Sequence, residues 1–99
     1  GVNIAPLEID NALSTHPDNS EAATIGVPDP VYGEEPVAYV SLRPGATAGA
    51  ADIRAHCAGV LAGFKVPKQI IFLDDIPKNA RGKIDRAALI ALWQRDYAT

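Results

Sequence analysis

The chain has 99 residues, a net charge of −3, 47% hydrophobic residues and 21% charged ones. That suits one globular domain with a modest core, and the acidic balance argues against a general nucleic-acid binder. No apolar run approaches the ~20 residues needed for a membrane span, no signal-peptide pattern opens the chain, and the lone Cys57 excludes an internal disulfide and suits a reducing, cytoplasmic setting.

In chain order, Pro6 suits a first helical turn. Leu7, Ile9, Ala12 and Leu13 predict a short amphipathic helix ending before His16-Pro17. Residues 21–27 read as a buried strand. Pro28-Asp29-Pro30 and Gly33 mark a loop, and residues 36–43 read as a second strand. A second helix is expected over 49–61, with Ile53, Cys57, Val60 and Leu61 on one face. Residues 69–73 predict a third strand. Asp85 is a candidate N-cap for a last helix over 86–95, with Leu89, Leu92 and Trp93 as its apolar stripe. The expected fold class is α+β: a small antiparallel three-stranded sheet packed with about three helices, plus a lysine-bearing loop.

That loop is the most informative segment. Pro77 to Arg86 holds Lys78, Arg81, Lys83 and Arg86 in a chain that is acidic overall. Gly82 frees the backbone beside Lys83, and Pro77 stiffens the entrance. A lysine behind a glycine, ahead of a helix, suits delivery of an ammonium to a phosphate or carboxylate. It is not a P-loop, because Ile84 stands where Ser or Thr is required and the earlier glycine is missing. Most other candidates have ordinary structural readings. Cys57 is expected to pack as a small hydrophobe, His56 to sit on a solvated face, His16 to end a helix, Asp74 and Asp75 to form a charged turn, and Trp93 to anchor the core. The two histidines and the cysteine do not make a zinc site, so no metal ligand is assigned.

The Pro77–Arg86 segment resembles the C-terminal lysine motif of adenylate-forming enzymes. Three further blocks extend the resemblance over nearly the whole chain: Gly1 to Asp10, Val27 to Glu34, and Phe64 to Lys68. The opening block is most similar to acyl- and aryl-CoA ligases. The resemblance implies that residues 1–99 are the mobile C-terminal lid domain of an acyl-CoA synthetase, with the large N-terminal adenylation domain absent from this sequence. It implies an AMP-forming reaction in two steps: a carboxylic acid and Mg-ATP give an acyl-adenylate, and CoA then displaces AMP. It implies Lys83 as the catalytic residue, with Gly82 and Arg86 supporting its loop; Arg86 is read more as a structural residue. Gly1, Phe64 and Lys68 would contribute to CoA binding. For Phe64, core packing is the favoured alternative, and Val66 stands where some relatives carry arginine. The implied substrates are ATP with Mg2+ and CoA, none of them held by this chain alone. The implied partners are the N-terminal adenylation domain, the carboxylic acid, ATP, CoA and a lysine acetyltransferase acting on Lys83. A free-standing binding or regulatory module reusing the fold is the alternative.

Overall fold

The computed structural model describes residues 4–98. The elements run α1 (Pro6–Ser14), β1 (Asn19–Asp29), β2 (Gly33–Leu42), α2 (Ala50–Ala58), a single 3-10 turn (Gly63–Lys65), β3 (Gln69–Phe72) and α3 (Arg86–Asp96). The strands form one sheet in the order β1-β2-β3. Alternation along the strands divides the core in two. Ala38, Val40 and Ile70 face α1 and α2, where they meet Ile9, Leu13, Ile53 and Cys57. Ala23, Ile25, Val27, Val37 and Tyr39 face the other way, toward Ile76 and Leu89 of the α3 side. The sheet is therefore covered by two helices on one face and one on the other.

β1 and β2 pair antiparallel, with Thr24 opposite Ala38. β3 instead runs parallel to β2, with Ala38 opposite Ile70, so the sheet is mixed rather than wholly antiparallel. The connection explains the difference. Residues 43–68 carry α2 between the two strands, and a crossover through a helix returns the chain in its original direction. The first two strands also extend beyond their apolar stretches, because ladder pairing continues through the polar ends at Asn19 and Glu34.

Helix geometry accounts for two corrections to the expected core. Ile9, Ala12 and Leu13 form one buried stripe, but Leu7 lies on the opposite side of the helix and is 71% exposed. α2 stops at Ala58, so Val60 leaves the stripe of Ile53 and Cys57 and is exposed. Pro6 does open α1. Asp85 caps α3, its Oδ1 accepting the Ala88 N–H at 3.0 Å. Leu89 is fully buried, and Trp93 packs partly buried against the same cluster. Burial raises the Cys57 thiol pKa, which keeps it protonated and suits its role as a packed hydrophobe. His56 is only partly exposed. Its Nε2 lies 2.6 Å from Thr15 Oγ1, and its ring meets His16 edge-on at 5.1 Å, so it joins α2 to the end of α1 instead of facing solvent alone.

Candidate functional site: a lysine hairpin and a cleft

Lys83 sits in a small hairpin. Lys78 and Ile84 form an isolated antiparallel bridge. Inside it, the Asn79 N–H donates to Lys83 O at 2.8 Å and the Gly82 N–H donates to Asn79 O at 2.9 Å. Ala80, Arg81 and Gly82 are thus the three-residue loop, and Gly82 takes a φ of 78°. A three-residue hairpin closes on a residue in this left-handed region, where a Cβ is strained and glycine is not. Asn79 completes the turn from its side chain: Oδ1 accepts the N–H of Arg81 at 2.8 Å and of Lys83 at 3.2 Å. The main chain of Lys83 is therefore held on both sides while its side chain stays exposed.

Two of the four basic groups have acidic partners. Lys78 Nζ lies 2.9 and 2.8 Å from the two carboxylate oxygens of Glu21. Arg86 pairs with Asp10 and also donates to Thr24 O at 2.6 Å. Asp10 in turn accepts the Thr24 N–H at 2.7 Å. This clasp satisfies both backbone groups of Thr24 on the open edge of β1, ties the start of α3 to α1, and anchors the C-terminal end of the lysine hairpin. Arg86 thus has a structural partner on each side. Among the described residues, Arg81 and Lys83 form no ion pair.

The second region is a cleft of about 350 Å³ beside the β1–β2 turn and the segment leading into β3. Phe64 is 50% exposed there, so it is not a core residue as expected. It follows α2 in a 3-10 turn whose side chains project outward. The ammonium of Lys65 lies 5.6 Å from its ring centroid and also pairs with Glu8 at 2.7 Å. Lys68 reaches the cleft, its N–H anchored to Pro36 O at 2.9 Å and its ammonium paired with Glu35. Arg54 of α2 lines the same cleft, and its Nε donates to Pro67 O at 3.0 Å. At the rim, Asp29 Oδ2 accepts the N–H groups of Tyr32 at 2.6 Å and Val31 at 3.0 Å. The Tyr32 bond is the main cause holding the Asp29 carboxyl below its usual range; burial opposes it and the Val31 bond adds to it.

The structure therefore gathers Gly82, Lys83 and Arg86 at one place and Phe64 and Lys68 at another. Gly1 lies outside the described residues. The hairpin is on the α3 side of the sheet with Ile76 and Ile84, whereas the cleft takes Arg54 from α2 and Ile4 from the segment before α1. Sequence reading missed Asn79, Asp10 and Arg54. Only Asn79 carried a local signal: an Asn at the first turn position with Gly three residues on.

The profile of the AMP-binding enzyme C-terminal domain family matches residues 8–83. Sulfoacetate–CoA ligase of Cupriavidus necator is 49% identical over 90 residues, which is 91% of this chain and 18% of the relative. Oxalate–CoA ligase of Arabidopsis thaliana is 49% identical over 86 residues, 87% of this chain and 17% of the relative. The crystal structure of ATP-bound MatB from Rhodopseudomonas palustris superposes with a TM-score of 0.90 at 36% identity, covering 100% of this chain and 20% of that one. The chain thus spans about a fifth of the length of the proteins it matches.

Proposed function

Because the chain belongs to the family of AMP-binding enzyme C-terminal domains, we propose that it is the lid of an ATP-dependent, AMP-forming acid–CoA ligase and that Lys83 is its adenylation residue. The large adenylation domain would be the rest of the same polypeptide. The observation that carries this reading is the hairpin itself. It fixes the main chain of Lys83, draws Lys78 and Arg86 into ion pairs, and leaves the Lys83 ammonium exposed and without a carboxylate partner among the described residues.

The chemistry needs such a cation. A carboxylate must approach the α-phosphate of ATP, and both are anionic. A unit charge pair at 4 Å is worth about 1 kcal/mol in water and about 4 kcal/mol at an effective dielectric of 20. An ammonium placed between the reactants therefore gains strength as a closing lid excludes water. Holding both groups in line adds a positioning gain. Lys83 acts in this reading as an electrostatic clamp and not as a base. Acetylating it would cancel the charge and stop the step.

The cleft supports the second half-reaction. An exposed aromatic face and a lysine suit the adenine and phosphates of CoA, and we assign Phe64 and Lys68 that role. The cleft and the hairpin lie on opposite faces of the sheet, so a lid that turns could present them in succession. ATP and CoA are substrates in this scheme. Among the described residues no group of three His, Cys, Asp or Glu side chains could hold a metal ion, so the magnesium that accompanies ATP is assigned no ligand here and no step is routed through it. The relatives named above are ligases, and nothing among them favours a free-standing module.

The test is Lys83→Ala in the full-length ligase. Adenylate formation should fall by roughly 10²–10³-fold, the scale seen when one preorganised charge-stabilising donor is removed. Thioester formation from preformed adenylate should change only a few-fold. Equal losses in the two half-reactions would refute the assignment.

A further inference from the structure

We propose that Arg54 is an anion-binding residue of the cleft and takes the 3′-phosphate of CoA. The inference rests on the CoA reading of the cleft and adds a residue to it that the sequence motifs do not mark.

The charges that line the cleft are not equally engaged. Lys68 is paired with Glu35. The Glu34 carboxylate lies over Gly26, where a Cβ would come within 2.7 Å of it. Val66, lining the same wall, is apolar. Arg54 is the cation left over: among the described residues it forms no ion pair, and its one hydrogen bond runs from Nε to Pro67 O at 3.0 Å. A guanidinium has five N–H donors in a planar fork. Fixing Nε to a backbone carbonyl orients that plane and leaves Nη1 and Nη2 free. Those two groups form the end-on pair that grips two oxygens of one phosphate.

The neighbouring side chains select the kind of phosphate. Phe64 offers its ring at the mouth of the same cleft, and an exposed aromatic face stacks on a base. In CoA the ribose that bears adenine also bears a terminal phosphomonoester at the 3′ position. A base seated on Phe64 would bring this group, the most highly charged of the molecule, into the cleft with Arg54. The neutral Val66 gives no competing contact.

The experiment uses the full-length ligase with CoA and with dephospho-CoA, which lacks only the 3′-phosphate. The wild type should prefer CoA. Arg54→Leu should raise KM for CoA by roughly tenfold or more, the scale of one charge-assisted contact, and leave KM for dephospho-CoA unchanged, so that the preference disappears. Arg54→Lys, which keeps the charge but loses the fork, should fall between the two. An equal rise in both KM values would overturn the proposal, because Arg54 would then act only by holding Pro67. No change in either value would overturn it as well. Phe64→Ala and Lys68→Ala serve as the reference. If they raise KM for CoA while Arg54→Leu does not, the Arg54 assignment fails alone. If none of the three moves it, the CoA reading of the cleft fails with it.

Discussion

The tip of the β1–β2 hairpin and the lysine hairpin are built alike but present opposite chemistry. Each opens on a side-chain oxygen that accepts two backbone N–H groups: Asp29 takes those of Val31 and Tyr32, and Asn79 takes those of Arg81 and Lys83. Each also contains a glycine with positive φ, Gly33 at 85° and Gly82 at 78°. The first tip exposes Val31 and Tyr32 beside the cleft, and the second exposes Arg81 and Lys83. A turn held by its own backbone and one short side chain leaves the remaining side chains free for a ligand. The cleft contrasts with both. There Lys68 is tied to Glu35 and Arg54 to the Pro67 carbonyl, so two of its cations are oriented by partners distant in sequence.

The two hairpins differ in their anchors, and the most disruptive test targets that difference. Only the lysine hairpin leads into the clasp of Arg86, Asp10 and Thr24. Arg86→Met should cost about 2 kcal/mol in denaturant unfolding. It strands the Asp10 carboxylate, and the figure is set below that for a fully buried pair because the Arg86 side chain is 31% exposed. A loss no larger than for an ordinary surface substitution would show that the clasp does not anchor the hairpin. A smaller effect is expected of Asn79→Ala, about 1 kcal/mol by thermal denaturation, with roughly tenfold slower adenylation by the full-length enzyme. Asn79→Asp retains an acceptor oxygen and should recover most of both. If Asn79→Ala matches the wild type, the backbone bonds alone set the turn.

The smallest effect separates the two tips by pH. The carboxyl of Asp29 lies below its unfolded value of about 3.9. Its contribution to stability is therefore present above that value and is lost as pH falls through the lower folded one. Asp29→Asn should melt slightly below the wild type at pH 7, and the gap should close in acid below about pH 4. Asn79 does not titrate, so the stability difference between Asn79→Ala and the wild type should show no such dependence. A gap that persists unchanged at pH 3 would mean that the charge of Asp29 is not what holds its tip.

What could be read from the chain follows the range of the interactions. Gly82, Lys83 and the Asp85 cap are local features, and their residue types point directly to their geometry. The same was true of Asn79, whose spacing to Gly82 is a turn signature. Arg86 and Asp10 are separated by 76 positions, and Arg54 and Pro67 by 13. No periodicity links such pairs before the sheet is assembled. The direction of β3 failed for a related reason. Its apolar run marks a strand but not its neighbour's polarity, and the helix in the preceding connection was the cue for a parallel return. The favoured core reading of Phe64 failed because hydrophobicity alone does not separate a core ring from one left exposed at the surface.

The mixed sheet also sets an order of assembly. β1 and β2 are joined by a tight turn and can zip early, whereas β3 must wait for the stretch carrying α2 to close on itself, and distant contacts of that kind form slowly. The lysine hairpin lies downstream of β3 and is secured by the longest-range contact of the clasp. A chain caught partway through folding would hold a finished turn at Tyr32 and an unplaced ammonium at Lys83, so under the role proposed for Lys83 competence for adenylation would arrive only with the last stage of maturation.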